Sequence, residues 1–175
     1  MKSGISEHII INLVGFQLCW WLAVLLQNES LPWLILLLSG HLLLHSDRLA
    51  ELQLILITAT FGYLLDTLLL LSGVFHFERA PAVPPLWLAL LWCCFAATLR
   101  QGLKPLATHP YLAGLLGGVA GSGSYLLGAQ LGAVKLGYTT STSLLILVPL
   151  WAALLPALLW LGQNFGTRNQ ASGAL

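Results

Sequence analysis

A chain of 175 residues that is 58% hydrophobic and 7% charged, with a mean hydropathy of +0.86, lies far from the roughly 25% charged residues of a soluble domain and reads as a polytopic membrane protein. Seven Lys and Arg against six Asp and Glu leave a net charge of +1 with no basic cluster, which sets aside nucleic acid and acidic partners. The three cysteines, Cys19, Cys93 and Cys94, sit inside apolar runs without CxxC spacing, so they read as small hydrophobes rather than redox, metal or lipidation sites.

A spanning helix needs about 20 mostly apolar residues. On that measure the chain is an all-α, single-domain bundle over residues 1–175 with six candidate helices at 8–27, 31–46, 52–75, 85–103, 111–134 and 142–162. The first follows the basic Lys2, but Asn12 and Gln17 interrupt it and no small-x-small cleavage site follows, so it is expected to be a retained helix rather than a signal peptide. The turn "QNES" after it contains a glycosylation triplet, Asn28 to Ser30, a match too short and common to carry an argument.

The second candidate offers only some 15 residues, or about 22 Å, and a re-entrant course would invert everything after it. It ends in "HLLLH", where His41 and His45 stand at i and i+4 on one face, with Asp47 and Glu51 nearby as oxygen ligands. There is no HExxH pattern and no second His pair on another helix. No metal is therefore assigned; His41 and His45 stay as the candidates, with an interfacial His45 and a hydrogen-bonded His41 as the alternative.

The third helix carries Asp66 near its middle. A charged Asp there costs about 2.5 to 3.5 kcal/mol on insertion scales, so it is expected to face the bundle interior and find a partner. Gly62, Tyr63 and Gly73 share its face while Leu64, Leu68 and Leu71 point elsewhere, and small residues on that face would let a neighbouring backbone approach. Counted at 1.5 Å per residue, Asp66 lies about 21 Å above the inner end of its helix, and Tyr125 of the fifth helix stands at a similar height. Arg100 of the fourth lies about 13 Å nearer the cytoplasm on the same count, so it is expected to snorkel to the inner surface rather than pair with Asp66.

The fifth helix is glycine-rich, with Gly117 to Gly121 and Gly128 to Gly132 at spacings of four that mark close helix packing, or a shallow groove for an acyl chain. It lacks the preceding strand and GK[ST] ending of a phosphate cradle. Pro149 and Pro156 are expected to kink the sixth helix. Trp20, Trp21 and Trp92 lie too deep for a membrane-interface belt and read as packing or cavity walls.

Together the polar residues form an expected ladder through the membrane: Asn12 and His45 near the cytoplasmic face, Gln17, His41 and Ser122 near the middle, then Ser124, Tyr125 and Asp66, with Tyr63 a further candidate for the polar site. Such a ladder is either a hydrated or proton-carrying interior or interhelical hydrogen bonding. With six spans and a cytoplasmic N-terminus, Lys2, Arg48, Arg100, Lys104 and Arg168 fall inside against Arg79 and Lys135 outside, which places both termini in the cytoplasm. Neither a GxSxG elbow nor an SxxK motif occurs; no cofactor is expected, and no catalytic chemistry is legible.

The stretches "NLVGFQLCWW", "FGYLLDTLLLLSGVF", "LWLALLWCCFAATL" and "PYLAGLLGGVAGSGSYLLGAQLGAV", spread over nearly the full length, resemble an uncharacterised family of proteobacterial inner-membrane proteins, domain of unknown function 2878. The resemblance implies a small multi-pass protein of the bacterial inner membrane without an established activity, and it adds no site residues. It also implies membrane-lipid chemistry as a setting, since relatives are often encoded near enzymes that modify membrane fatty acids. The expected function is binding or acting on a lipophilic molecule, as an accessory to lipid modification. The alternatives are a small proton-coupled transporter, with Asp66 as carrier, or a structural subunit. Membrane lipid and other membrane proteins are the expected partners.

Overall fold

The computed structural model describes residues 8–78 and 82–172, with side chains as far as Asn164. Lys2, Arg79 and the Arg168 side chain, which enter the charge count above, lie outside the described residues.

The described residues are all-α apart from one two-residue strand pair. Helix α1 (Ile9–Leu26) ends where Gln27 adopts φ 48, and a 3-10 turn over Gln27–Ser30 reverses the chain into α2 (Leu31–Leu44). Pro32 sits in the first turn of α2, where its missing N–H costs nothing. Helix α3 (Arg48–Leu71) starts four residues earlier than its hydropathy suggests, because Asp47 accepts the Ala50 N–H and caps it. Its end is a Schellman turn: Gly73 takes φ 75, Val74 N–H donates to Leu69 O at 2.9 Å and Gly73 N–H to Leu70 O at 3.0 Å. Gly73 therefore stands beyond the helix rather than on the face of Asp66.

Helix α4 (Leu86–Ala96) is 11 residues long, not the 19 expected from 85–103. The reason lies in another helix. Asn12 of α1 donates to Ala97 O at 3.0 Å and accepts the Gly102 N–H at 3.1 Å, holding residues 97–103 as successive turns. Polar Asn12 is thus a cap for α4 rather than a rung of a ladder.

Helix α5 (Pro110–Leu116), a π segment (Gly117–Gly121) and α6 (Ser122–Gln130) form one continuous helix. An α-helix turns about 100° per residue, which would leave Tyr125 about 80° from the face of Gly117. The extra residue of a π turn cancels most of that offset. The expected packing role of Gly117 and Gly121 has a physical basis here: a Cβ on Gly117 would meet Leu155 and the Trp151 carbonyl, and one on Gly121 would enter the Trp151 indole. The second spacing, Gly128 to Gly132, does no such work, since Gly128 meets only Val134 at 4.0 Å and Gly132 takes φ 79 in a second Schellman turn. The two Schellman turns release the chain into β1 (Phe75–His76) and β2 (Lys135–Leu136), which pair antiparallel with Phe75 opposite Leu136. Helix α7 (Thr140–Ser172) runs unbroken with Pro149 and Pro156 inside it, and the glycine-rich helix is the one that carries a π segment.

Among the described residues, four stretches are long and apolar enough to cross a membrane: Ile9–Leu44, which contains α1 and α2, then Arg48–Leu71, Pro110–Gln130 and Thr140–Asn164. Their outward faces are apolar. Ile10, Val14, Leu36, Leu43, Leu64, Leu68, Leu71, Val119 and Leu145 are all more than half exposed, a girdle that water would not tolerate at this extent. Inside, α4 packs against α1, α2 and α3, while α7 packs against α3 and the α5–α6 helix. The joint between these two halves is aromatic: Trp92 stacks on Trp151 at 5.6 Å and 3°, with Phe95 edge-on to both.

The strand pair is tight enough to test. Gly137 donates to Val74 O at 3.0 Å, and a Cβ there would collide with the Gly73 carbonyl oxygen. Gly137→Ala is expected to destabilise by about 1–3 kcal/mol, read as a lowered unfolding midpoint in detergent. Gly40→Ala, where a Cβ meets nothing within 4 Å, should leave the midpoint level or raise it.

Candidate functional site

The two buried carboxylates among the described residues, Asp66 and Glu51, each organise a separate polar centre. The first is built on Asp66, which is 0% exposed. Tyr125 OH donates to Oδ1 at 2.5 Å and Trp92 Nε1 to Oδ2 at 2.6 Å. The two carboxylate oxygens are thus each held by a neutral donor from a different helix, α6 and α4. Gly62, one turn earlier on α3, makes this possible, because the Trp92 indole lies flat where a Cβ would stand. Trp92, expected as a packing or cavity wall, packs on Trp151 and lines the cavity, and its indole N–H adds a bond to the carboxylate that spacing alone does not announce.

Asp66 lies in the wall of a cavity of about 670 Å³, within the range of small-molecule sites. The cavity runs from Leu13 to Val24 along α1 and from Leu116 to Gly128 along the α5–α6 helix, about 17 Å at 1.5 Å per residue. Its walls are apolar and aromatic, including Phe16, Trp20, Trp87 and Trp151. Gln17, Thr98 and Ser124 add polar groups beside Asp66 and Tyr125. Gly123 lines it with open space where a Cβ would be.

Other expected members stand apart. Tyr63 donates to Pro84 O at 2.6 Å instead of meeting Asp66. Ser122 and Ser124 donate back to Gly118 O and Gly121 O of their own helix, the local bonding that serine favours mid-helix. Trp20 lines the cavity, but Trp21 is exposed on the outer face.

The second centre lies 15 residues earlier on α3, about 22 Å away along the helix. There Glu51, also 0% exposed, is met by His41 Nε2 at 3.0 Å, His45 Nε2 at 3.4 Å, Gln101 Nε2 at 3.3 Å and Arg100 Nη1 at 3.7 Å. Arg100 does not pair with Asp66, as expected; the turns after α4 bring it beside Glu51. His41 and His45 keep the shared face their spacing implies, with ring centroids 5.6 Å apart. Ligand-type atoms of His41, His45 and Glu51 lie within 4.8 Å of one another. The Asp47 N–H donates to His45 Nδ1 at 3.0 Å, while His45 Nε2 lies 2.7 Å from Gln101 Nε2 and 3.4 Å from Glu51 Oε2. The centre reads as a buried carboxylate ringed by donors, joining α2, α3 and the 97–103 turns. Glu51 was legible as a neighbour of the histidines; Gln101 and Arg100 were not, since only the early end of α4 brings them there.

A sequence profile of a family described as protein of unknown function (DUF2878) matches residues 9–157, which include both centres. No curated protein and no solved structure matches the chain.

Proposed function

Given that the chain belongs to the DUF2878 family, we propose that it is a multi-pass protein of the bacterial inner membrane whose interior cavity binds a lipophilic molecule, as an accessory to membrane-lipid modification. The observation that carries this reading is the 670 Å³ apolar cavity with Asp66 and Tyr125 in its wall: an acyl-sized slot with one polar point to orient a ligand. Since α1 packs on α2 and α4 whereas α5 and α6 pack on α7, the slot separates two sets of helices, and a ligand enters between them from the bilayer. In this reading the chain passes six times, with the short α4 and its following turns as the fourth crossing. Arg48, Arg100 and Lys104 gather at the Glu51 end, which makes that end and both termini cytoplasmic.

A second reading, a small proton-coupled transporter, is favoured by a fully buried mid-helix carboxylate whose bonding partners are both neutral.

The test compares lipids that co-purify in mild detergent, by mass spectrometry, among wild type, Asp66→Asn and Gly123→Phe. Gly123→Phe fills the cavity where no atom stands within 4 Å of a Cβ, so its unfolding midpoint should match wild type while a retained lipid is lost. Bulk lipid alone in wild type and both variants rules out the lipid reading. Proton-driven uptake in proteoliposomes, abolished by Asp66→Asn, would then establish the second.

A further inference from the structure

The polar groups that a molecule in the cavity can reach decide what it takes. Asp66 is fully buried with one bond at each oxygen, and the Trp92 and Tyr125 protons are spent on it. Thr98 and Ser124 give their protons to Phe95 O and Gly121 O. Gln17, Trp20 and Trp87 line the same cavity with side chains that make no hydrogen bond to any described residue. Gln17 is exposed, and the nitrogens of Trp20 and Trp87, unlike that of Trp151, are not sealed in the packing. An indole N–H can only donate, and a Trp in apolar surroundings usually has a partner for it. Two such donors, one from α1 and one from α4, therefore call for a ligand that accepts. Gln17 stands three residues before Trp20 on one face of α1 and adds an amide that can donate beside it.

Charge narrows the class. Among the described residues, the cavity lining contains no Lys, Arg or His, and its one carboxylic acid is Asp66. A phosphate or carboxylate head would enter with no cation to meet it, and a buried charge without a partner is strongly disfavoured. The accepting group is thus neutral, as a carbonyl is.

The walls narrow it further. Four indoles, those of Trp20, Trp87, Trp92 and Trp151, line the cavity together with three Phe rings and Tyr125. Aromatic side chains gain beyond their buried area when they stack on, or meet edge-on, another flat ring. An acyl chain has no ring to offer them. The slot is about 17 Å long at 1.5 Å per residue, which leaves room for an apolar tail behind such a ring.

We infer that the lipophilic molecule is a quinone: a flat, uncharged ring whose carbonyl oxygens accept from Trp20, Trp87 and Gln17, carried on an apolar tail. This rests on the lipid-binding reading above and names its ligand. A para-quinone has its two carbonyls on opposite edges of one ring, so it meets donors from two helices while its faces lie on aromatic side chains. A fatty ester has the acceptor without the ring, and an alkylbenzene has the ring without the acceptor.

The experiment is displacement of radiolabelled decylubiquinone from purified protein in detergent, with decylubiquinone, decylbenzene and methyl decanoate as competitors. The quinone should compete at least about fivefold better than either rival, the scale of one neutral hydrogen bond or one aromatic pair. Trp20→Phe and Trp87→Phe keep a ring and remove the N–H, and each should weaken quinone binding about two- to tenfold. Trp160→Phe, on the outer face and away from the cavity, should not. Decylbenzene competing as well as the quinone in wild type, or unchanged binding in both cavity Trp variants, overturns the donor argument. Methyl decanoate competing as well overturns the ring argument. An absence of saturable quinone binding in wild type that retains a co-purified lipid overturns the quinone alone; in all these cases the cavity still takes a lipophilic molecule. Quinone binding equally to wild type and Gly123→Phe overturns the cavity itself, and the proposed function with it.

Discussion

Trp92→Ala is expected to be the most damaging single truncation in the bundle. The indole stacks on Trp151, meets Phe95 edge-on and donates to Asp66. Emptying a buried Trp site costs about 3–5 kcal/mol in soluble cores. In a bilayer the transfer part of that figure shrinks, since lipid is as apolar as the core, but the lost packing remains. Asp66 Oδ2 is then left without its donor, a further cost of about 1–3 kcal/mol. Trp92→Phe separates the two effects, keeping a ring over Gly62 while removing only the N–H. Measured by denaturant titration in mixed micelles, Ala should lose clearly more stability than Phe, and Phe more than wild type. Equal losses would mean that the stack with Trp151 contributes nothing.

Gly62→Val acts on the same contact from the opposite side. Its Cβ would stand inside the Trp92 indole, and the α3 backbone cannot retreat without disturbing a helix that carries both buried carboxylates. Overpacking of this kind costs about 1–3 kcal/mol or more, and here it also pushes the Trp92 N–H off Asp66. Folded protein recovered from membranes should fall sharply, while Gly15→Val, with nothing within 4 Å of its Cβ, should be recovered at the wild-type level. Because the two side chains compete for one space, Trp92→Ala in the Gly62→Val background should cost far less than the sum of the single changes. Strict additivity would show that the clash is relieved elsewhere.

How far these features were legible from residues alone depended on distance along the chain. Long apolar runs between breakers mark α1, α2 and α3 to within a few residues, and the start but not the end of α7, because in a membrane hydropathy and helix formation answer to the same solvent. The same rule misjudged α4. "TLRQGL" continues the apolar run well enough, and what stops the helix is an amide from Asn12, 85 residues away from Ala97. Counting depth put Tyr125 level with Asp66 because α3 and the α5–α6 helix run in the same direction. Rotation about each helix was harder to read: Tyr63 has the spacing for Asp66 and turns to Pro84 instead. Serines were the least legible, since a hydroxyl mid-helix can satisfy itself on its own backbone and leave no trace in the spacing.

The bundle is stitched at opposite ends by different partners. At one end Asn12 ties α1 to the end of α4; at the other the β1–β2 pair ties α3 to α6. Neither stitch joins α1 to α6, the two walls that face each other across the cavity. A residue gained or lost in α1 beyond Asn12 would leave both stitches intact, yet turn Phe16, Trp20 and Val24 by about 100° and move them about 1.5 Å along the axis. The same turn would carry the buried Cys19 and Ala23 out of the packing of α1 on α2 and α4, so the length of α1 sets the bundle core and the shape of the cavity together.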